Sequence, residues 1–185
     1  MCKTLQPPPA HRLLRSQLGQ FPTGVAVVTA EDECGQPVGM TINSFQSISL
    51  TPALVGWCID RRSASYPVFA QAERFAISVL HEGQRNIAEH FAKRGADKFA
   101  GLTVRTGKPL VIPSACAWFQ CQTYSRFLLG DHMMLVGEVI DSDSREASPL
   151  VFAQGRFQAL PRDFVPNVPS QPTAIIRTAT AWQAL

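Results

Sequence analysis

The sequence predicts a mainly β protein of the α+β class: an antiparallel barrel with short peripheral helices. About seven apolar or β-branched segments are punctuated by glycine, proline and aspartate, with two or three short helical patterns between them. Most links between the strand-like segments are shorter than the roughly dozen residues that a parallel crossover requires. A chain of 185 residues is long enough to bury one complete core.

Residues 1–10 carry Pro7, Pro8 and Pro9 and read as a loose arm. His11–Gln20 follows as a short amphipathic helix with Leu13, Leu14 and Leu18 on one side, and Phe21-Pro22-Thr23-Gly24 breaks it. Val25–Ala30 is a strand by composition, and Asp32, Gly35 and Pro37 give Glu31–Pro37 the chemistry of a hairpin loop. Val38–Ser49 alternates in part and reads as one long strand with a polar face, ended by Thr51-Pro52. Ala53–Ile59 is a buried strand. Ser65 is an N-cap candidate, with Pro67 in the first turn of a helix that runs to Gln71 or Ala72. Arg74–Leu80 is a strand, and Gln84–Lys93 places Ile87, Ala88, Phe91 and Ala92 at helical spacing. Ala100–Pro113 reads as loop. Cys116–Tyr124, His132–Ile140 and Val151–Gln158 are three further strands, the last with a bulge at Gly155. The expected organisation is an arm and helix over 1–20, a barrel domain over 21–160 and a proline-rich tail over 161–185 that wraps a neighbour or stays mobile.

Composition excludes several classes. Seventeen basic and 14 acidic residues give a net charge of +3, too small and too scattered for a nucleic-acid surface. No apolar run approaches the ~20 residues of a membrane span, and the N-terminus lacks the apolar core of a secretory signal. Five cysteines, odd in number and without ligand spacing, point to reduced thiols and a cytoplasmic protein. The four histidines form no metal signature, and no Walker, Rossmann or Ser-His-Asp pattern is present.

Two segments carry candidate chemistry. Asp60-Arg61-Arg62-Ser63 leads into the Ser65 helix start, where hydroxyls, backbone N–H groups and guanidinium charge together suit a phosphate. Taken alone, it equally fits a solvated, well-capped turn. Thr41, Asn43, Ser44, Ser47 and Ser49 give the preceding strand a face of small hydrogen-bonding groups, suited to the polar edge of a flat ring. An ordinary exposed strand face has the same composition. One apolar strand joins the two segments, so they can converge on a ligand of nucleotide length. His132, after the turn Gly130-Asp131, is placed to meet a nicotinamide amide or assist proton transfer, or is a surface histidine beside Asp131. Phe91 and Phe99 flank a basic loop in which Lys98 can reach a phosphate, although Phe91 also reads as core.

The chain resembles the flavin reductase-like, FMN-binding split-barrel family, which includes the small reductase components of two-component flavin monooxygenases. The resemblance covers about Phe21 to Phe157. It rests on Phe21-Pro22-Thr23-Gly24-Val25, Gly39-Met40-Thr41, Ser44-Phe45, Asp60-Arg61 with Ser63, Asp97-Lys98-Phe99, Gly130-Asp131-His132 and Val136-Gly137-Glu138-Val139. It implies a six-stranded, Greek-key split barrel, usually a homodimer, that binds FMN or FAD near the dimer interface. By similarity, Met40, Thr41, Asn43, Ser44 and Ser47 line the flavin, with Ile42 adding bulk beside them. Cys58, Ile59, Asp60, Arg61, Arg62, Ser63 and Ser65 meet its ring edge and phosphate, Phe91 and Phe99 cover it with Lys98 nearby, and His132 meets NADH or NADPH. Ser78 stands where the family often has asparagine. The implied activity is hydride transfer from NAD(P)H to flavin, supplying a partner monooxygenase. The alternatives are a tightly flavin-bound reductase of a ferric or cobalt-corrinoid acceptor, and a non-enzymatic flavin- or haem-binding module.

Overall fold

The computed structural model describes residues 9–95, 97–101, 109–112 and 114–160. Helix α1 (Pro9–Leu18) precedes β1 (Thr23–Gly24), β2 (Ala26–Glu31), β3 (Pro37–Ile42), β4 (Gln46–Leu50) and β5 (Ala53–Asp60). Then come α2 (Tyr66–Gln71), β6 (Arg74–Val79), α3 (Arg85–Ala92) and the long hairpin β7 (Ala117–Leu129) and β8 (His132–Ser144). The short hairpin β9 (Val151–Ala153) and β10 (Arg156–Gln158) completes the described chain. The expected tail over 161–185 lies outside the described residues, as does most of the expected loop 100–113.

Seven strands form one sheet in the order β3-β2-β6-β7-β8-β5-β4, and β1-β9-β10 form a second; every paired neighbour is antiparallel. Strands β3 and β4 occupy the two opposite edges of the large sheet, yet only Asn43, Ser44 and Phe45 separate them in sequence. From Ile42 to Gln46 is four residue steps, about 14 Å at most. The sheet therefore has to curl until its edges meet, which is the geometry of a split barrel. Ser44, at the turn between the two edges, extends the β4–β5 pairing: its hydroxyl accepts from the Cys58 N–H at 3.0 Å and donates to the Cys58 carbonyl at 3.2 Å. One side chain thus supplies both halves of a missing ladder pair.

Two expectations are corrected here. The single strand Val38–Ser49 is two strands, because the polar Asn43-Ser44 step turns at the seam and continues on the other edge. The single strand Val151–Gln158 is a hairpin, because Gln154 and Gly155 adopt φ of 50° and 76° and form a tight turn rather than a bulge. Ser65 stands at the N-cap of α2 but makes no side-chain capping bond.

The barrel interior is filled by Trp57, Phe69, Phe75, Ile59 and Leu135, all fully buried, with the Trp57 and Phe69 rings edge to face at 4.9 Å. A second cluster of Val25, Val27, Leu80, Ala88, Phe91 and Leu150 sits between the sheets and α3. Ser78, buried on β6, accepts from the Ile112 N–H at 3.0 Å and so anchors a loop rather than a ligand.

Candidate functional site

The seam brings the two predicted segments together. Residues 41–42 end β3 at one sheet edge, residues 46–47 open β4 at the other, and β5, which carries Cys58–Asp60, is the ladder neighbour of β4. The paired bonds of Ser44 with Cys58 bring the 41–47 and 58–65 segments within hydrogen-bond reach. From there β5 runs two residues on to Asp60, which lies beside His132 in the β5–β8 ladder. The Arg61 N–H donates to the Asp131 carbonyl at 3.0 Å, so the Asp60–Ser63 turn and the β7–β8 turn are docked on each other. Backbone pairing alone therefore places His132 next to the charged turn.

Within that turn the two arginines differ. Arg62 is committed: its guanidinium grips Asp60 at 3.1 and 2.8 Å, and its N–H donates to the same carboxylate at 2.8 Å. These bonds hold the Asp60 carboxyl down to about 2. Arg61 is exposed and enters no ion pair among the described residues, which leaves it as the available cation. Ser63 accepts from the Ser65 N–H at 3.3 Å and keeps its own hydroxyl hydrogen for a further acceptor. His132 Nδ1 lies 2.7 Å from the Asp131 carboxylate, so its Nε2 is the ring nitrogen left for another group.

On the other side of the seam a slot of about 200 Å³ opens between the two sheets, lined by Val25, Thr41, Ile42, Asn43, Ala92, Phe152 and Phe157. Its walls are almost wholly apolar. Its volume lies below the roughly 300–1,000 Å³ of pockets that bury a whole drug-sized ligand, so it takes part of a ring system and leaves the rest outside. Asn43 sits exposed at one wall, its amide donating to Thr23 Oγ1 at 3.4 Å.

Several predicted residues face elsewhere. Phe91 is fully buried, with its ring edge-on to Phe99 at 5.3 Å, so it is a core side chain and not a cover; Phe99 is half-buried. Ile59 is buried in the barrel and offers only its backbone. Met40 packs against the core. Ser47 lies exposed on β4, and Cys58 is half-buried, its thiol pushed up by burial. Lys98 points inward, its ammonium donating to the Gly39 and Phe91 carbonyls at 2.9 Å each. Thr41 donates to the Ala88 carbonyl at 2.6 Å.

Sequence reasoning missed Val25, Ala92, Phe152 and Phe157. The pair of aromatics either side of a Gln-Gly turn was the signal for the last two; read as one strand, they fall five residues apart on opposite faces. As a hairpin, Phe152 and Phe157 are register partners with rings 5.4 Å apart.

The donor set suits a flavin nucleotide. An apolar slot accepts a flat ring, small polar residues border it, and a free guanidinium with hydroxyls stands along the seam for an anionic tail. Of the carboxylates at the docked turns, Asp60 is bound by Arg62 and Asp131 lies 2.7 Å from His132 Nδ1.

Residues 18–161 match the family described as flavin reductase like domain. The chain is 42% identical over 151 residues to the actinorhodin polyketide dimerase of Streptomyces coelicolor, covering 80% of this chain and 85% of that protein. It is 38% identical over 151 residues to the stachydrine N-demethylase reductase subunit of Rhizobium meliloti, covering 80% of this chain but 65% of that longer protein. Among solved structures, the NADH:FAD oxidoreductase of Streptomyces globisporus in complex with NAD and FAD fragments superposes with a TM-score of 0.79. It is 34% identical and covers 86% of this chain and 99% of that one.

Proposed function

The chain belongs to the family of flavin reductase-like domains, and on that premise we propose that it is an NAD(P)H-dependent flavin reductase that supplies reduced flavin to a partner monooxygenase. The observation that carries this reading is the seam. It joins in sequence and hydrogen bonding an apolar slot, a small polar segment, an arginine that enters no ion pair among the described residues, and a histidine. FMN or FAD, when bound, supplies the hydride acceptor, and NADH or NADPH supplies the hydride.

The protein's own part is positional and electrostatic. Ile42, Val25, Phe152 and Phe157 exclude water from one end of the ring. Asn43, with the backbone from Thr41 to Ser44, offers donors and acceptors to its polar edge. Arg61 and Ser63 hold the phosphate, and Arg62 keeps Asp60 turned away from it by binding that carboxylate itself. His132 Nε2 orients the carboxamide of the nicotinamide, its ring set by Asp131. No side chain acts as a nucleophile. The protein contributes orientation, which in well-aligned reactions is worth several kcal/mol of barrier.

Exposed apolar surface supports reading the protein as a homodimer. Phe127, Leu128 and Leu129 are exposed at the end of β7 beside His132, and Ile48, Leu50 and Tyr124 are exposed farther along the sheet. A second copy that covers them closes the open side of the site.

The experiment is a steady-state assay of nicotinamide oxidation with each pairing of NADH or NADPH with FMN or FAD. Turnover in at least one pairing is expected. No oxidation in any, or no binding of either flavin, defeats the reading. The highest identity quoted above is to a protein named a polyketide dimerase. An acceptor other than a partner monooxygenase is therefore the second reading, favoured if reduced flavin is retained through gel filtration.

A further inference from the structure

Two walls of the slot come from different elements: Thr41 and Ile42 from the end of β3, with Asn43 just beyond it, and Ala92 from the last turn of α3. Whatever sets the spacing of β3 and α3 sets the width of the slot. We infer that Lys98 is a positioning residue that clamps these two walls together, and is not a ligand of the flavin phosphate. The inference rests on the reading of the slot as the flavin site.

The geometry is specific. The Lys98 ammonium bridges the Gly39 carbonyl of β3 and the Phe91 carbonyl of α3, at 2.9 Å each. Phe91 lies in the final turn of its helix, where carbonyls lack intrahelical partners and a cation is favoured. Thr41 adds a second tie, donating to the Ala88 carbonyl one turn earlier on α3. The space between is tightly filled. A side chain at Gly39 would place its first carbon 2.7 Å from the Phe91 ring and 3.1 Å from Phe99. Two hydrogen-bonded ties and two aromatic rings thus fix β3 against α3 immediately before the strand reaches the slot. Two of the three ammonium donors of Lys98 are spent on backbone, and the group is half-buried, which pushes its pKa down. Because the bonds go to main chain, the strand's position depends on them directly.

The test compares riboflavin, which has no phosphate, with FMN. Lys98→Met keeps the stem and removes the donors. Dissociation constants are read from flavin fluorescence, together with kcat and KM. A clamp predicts that both ligands weaken by the same factor, about tenfold, while kcat at saturating flavin stays within about twofold. Lys98→Arg, which keeps donors and charge, restores part of the affinity for both. A loss confined to FMN makes Lys98 a phosphate ligand and overturns the inference, as does unchanged affinity for both. Lys98→Gln carries the same comparison where Lys98→Met does not fold. If the unaltered protein binds neither flavin, the reading of the site itself has failed, an outcome separate from any result on the variants.

Discussion

Replacing Gly39 with alanine tests the packing behind the site most sharply. The new methyl would lie 2.7 Å from Phe91 Cε1, 3.1 Å from Phe91 Cδ1 and 3.1 Å from Phe99 Cζ. At the first distance something has to move, and Phe91 is fully buried in the second core cluster with Ala88 and Val27. The strand is therefore the element that shifts. Overpacking of this kind costs about 1–3 kcal/mol. For a chain of this size that lowers the melting temperature by roughly 2 to 12 °C. The shift also draws the Gly39 carbonyl off the Lys98 ammonium and moves Thr41, so flavin affinity falls in parallel. Thermal melts and urea titrations measure the first effect, and flavin titrations the second. Phe91→Leu in the same chain gives the decisive control. A smaller side chain makes room for the methyl, so the double variant should be more stable than the sum of the two single losses predicts, by at least about 0.5 kcal/mol. A Gly39→Ala protein that melts with the parent, or strictly additive losses, refutes the argument that Phe91 forbids a side chain at residue 39.

Ser44→Ala removes both bonds to Cys58 and leaves a half-buried N–H and C=O unpaired. A loss of about 1–3 kcal/mol in urea unfolding is expected, with weaker flavin binding because the seam loosens. Arg61→Gln should raise the KM for FMN while leaving riboflavin nearly unaffected. Arg62→Gln should lower thermal stability only slightly at neutral pH, since its ion pair with Asp60 is exposed; steady-state kinetics with both flavins and a melt check the two variants. In acid, the depressed carboxyl of Asp60 stabilises the fold fully above its ordinary value of 3.8, and this contribution is lost as pH falls toward about 2. Asp60→Asn should flatten that part of an acid titration, and added salt should shrink the difference. Thiol labelling at pH 8 should modify exposed Cys34 in the native protein and spare Cys121, which is buried and pushed up to about 12.

The fold class was legible because strand content, short links and turn residues are local signals. The turns at Asp60–Ser65 and Gly130–His132 were also legible, since both are rich in residue types that favour turns. Less visible were the features that depend on where the chain goes next. Asn43 and Ser44 look like two more polar positions on a long strand. Their meaning appears only when β3 and β4 stand on opposite edges of the sheet, with one hydroxyl answering both the N–H and the C=O of Cys58. Phe152 and Phe157 were hidden by the same ambiguity, because a Gln-Gly step fits a bulge or a turn and only the positive φ at both residues decides.

Lys98 shows the remaining limit in its purest form. A lysine between two phenylalanines in a basic loop resembles an anion ligand by every local criterion. What redirects it is a pair of main-chain carbonyls, one 59 residues earlier and one at a helix end 7 residues earlier, both 2.9 Å from its nitrogen. Backbone acceptors leave no trace in residue identity, so no reading of side-chain types finds them. The same reasoning explains why the two arginines of the turn part company. Asp60 claims Arg62 two residues away through three short bonds, and Arg61 enters no ion pair among the described residues. A charge near a candidate site is therefore informative about ligand binding only after the acceptors within its reach have been counted. By that count Arg61, and neither Arg62 nor Lys98, is the cation whose loss should separate FMN from riboflavin.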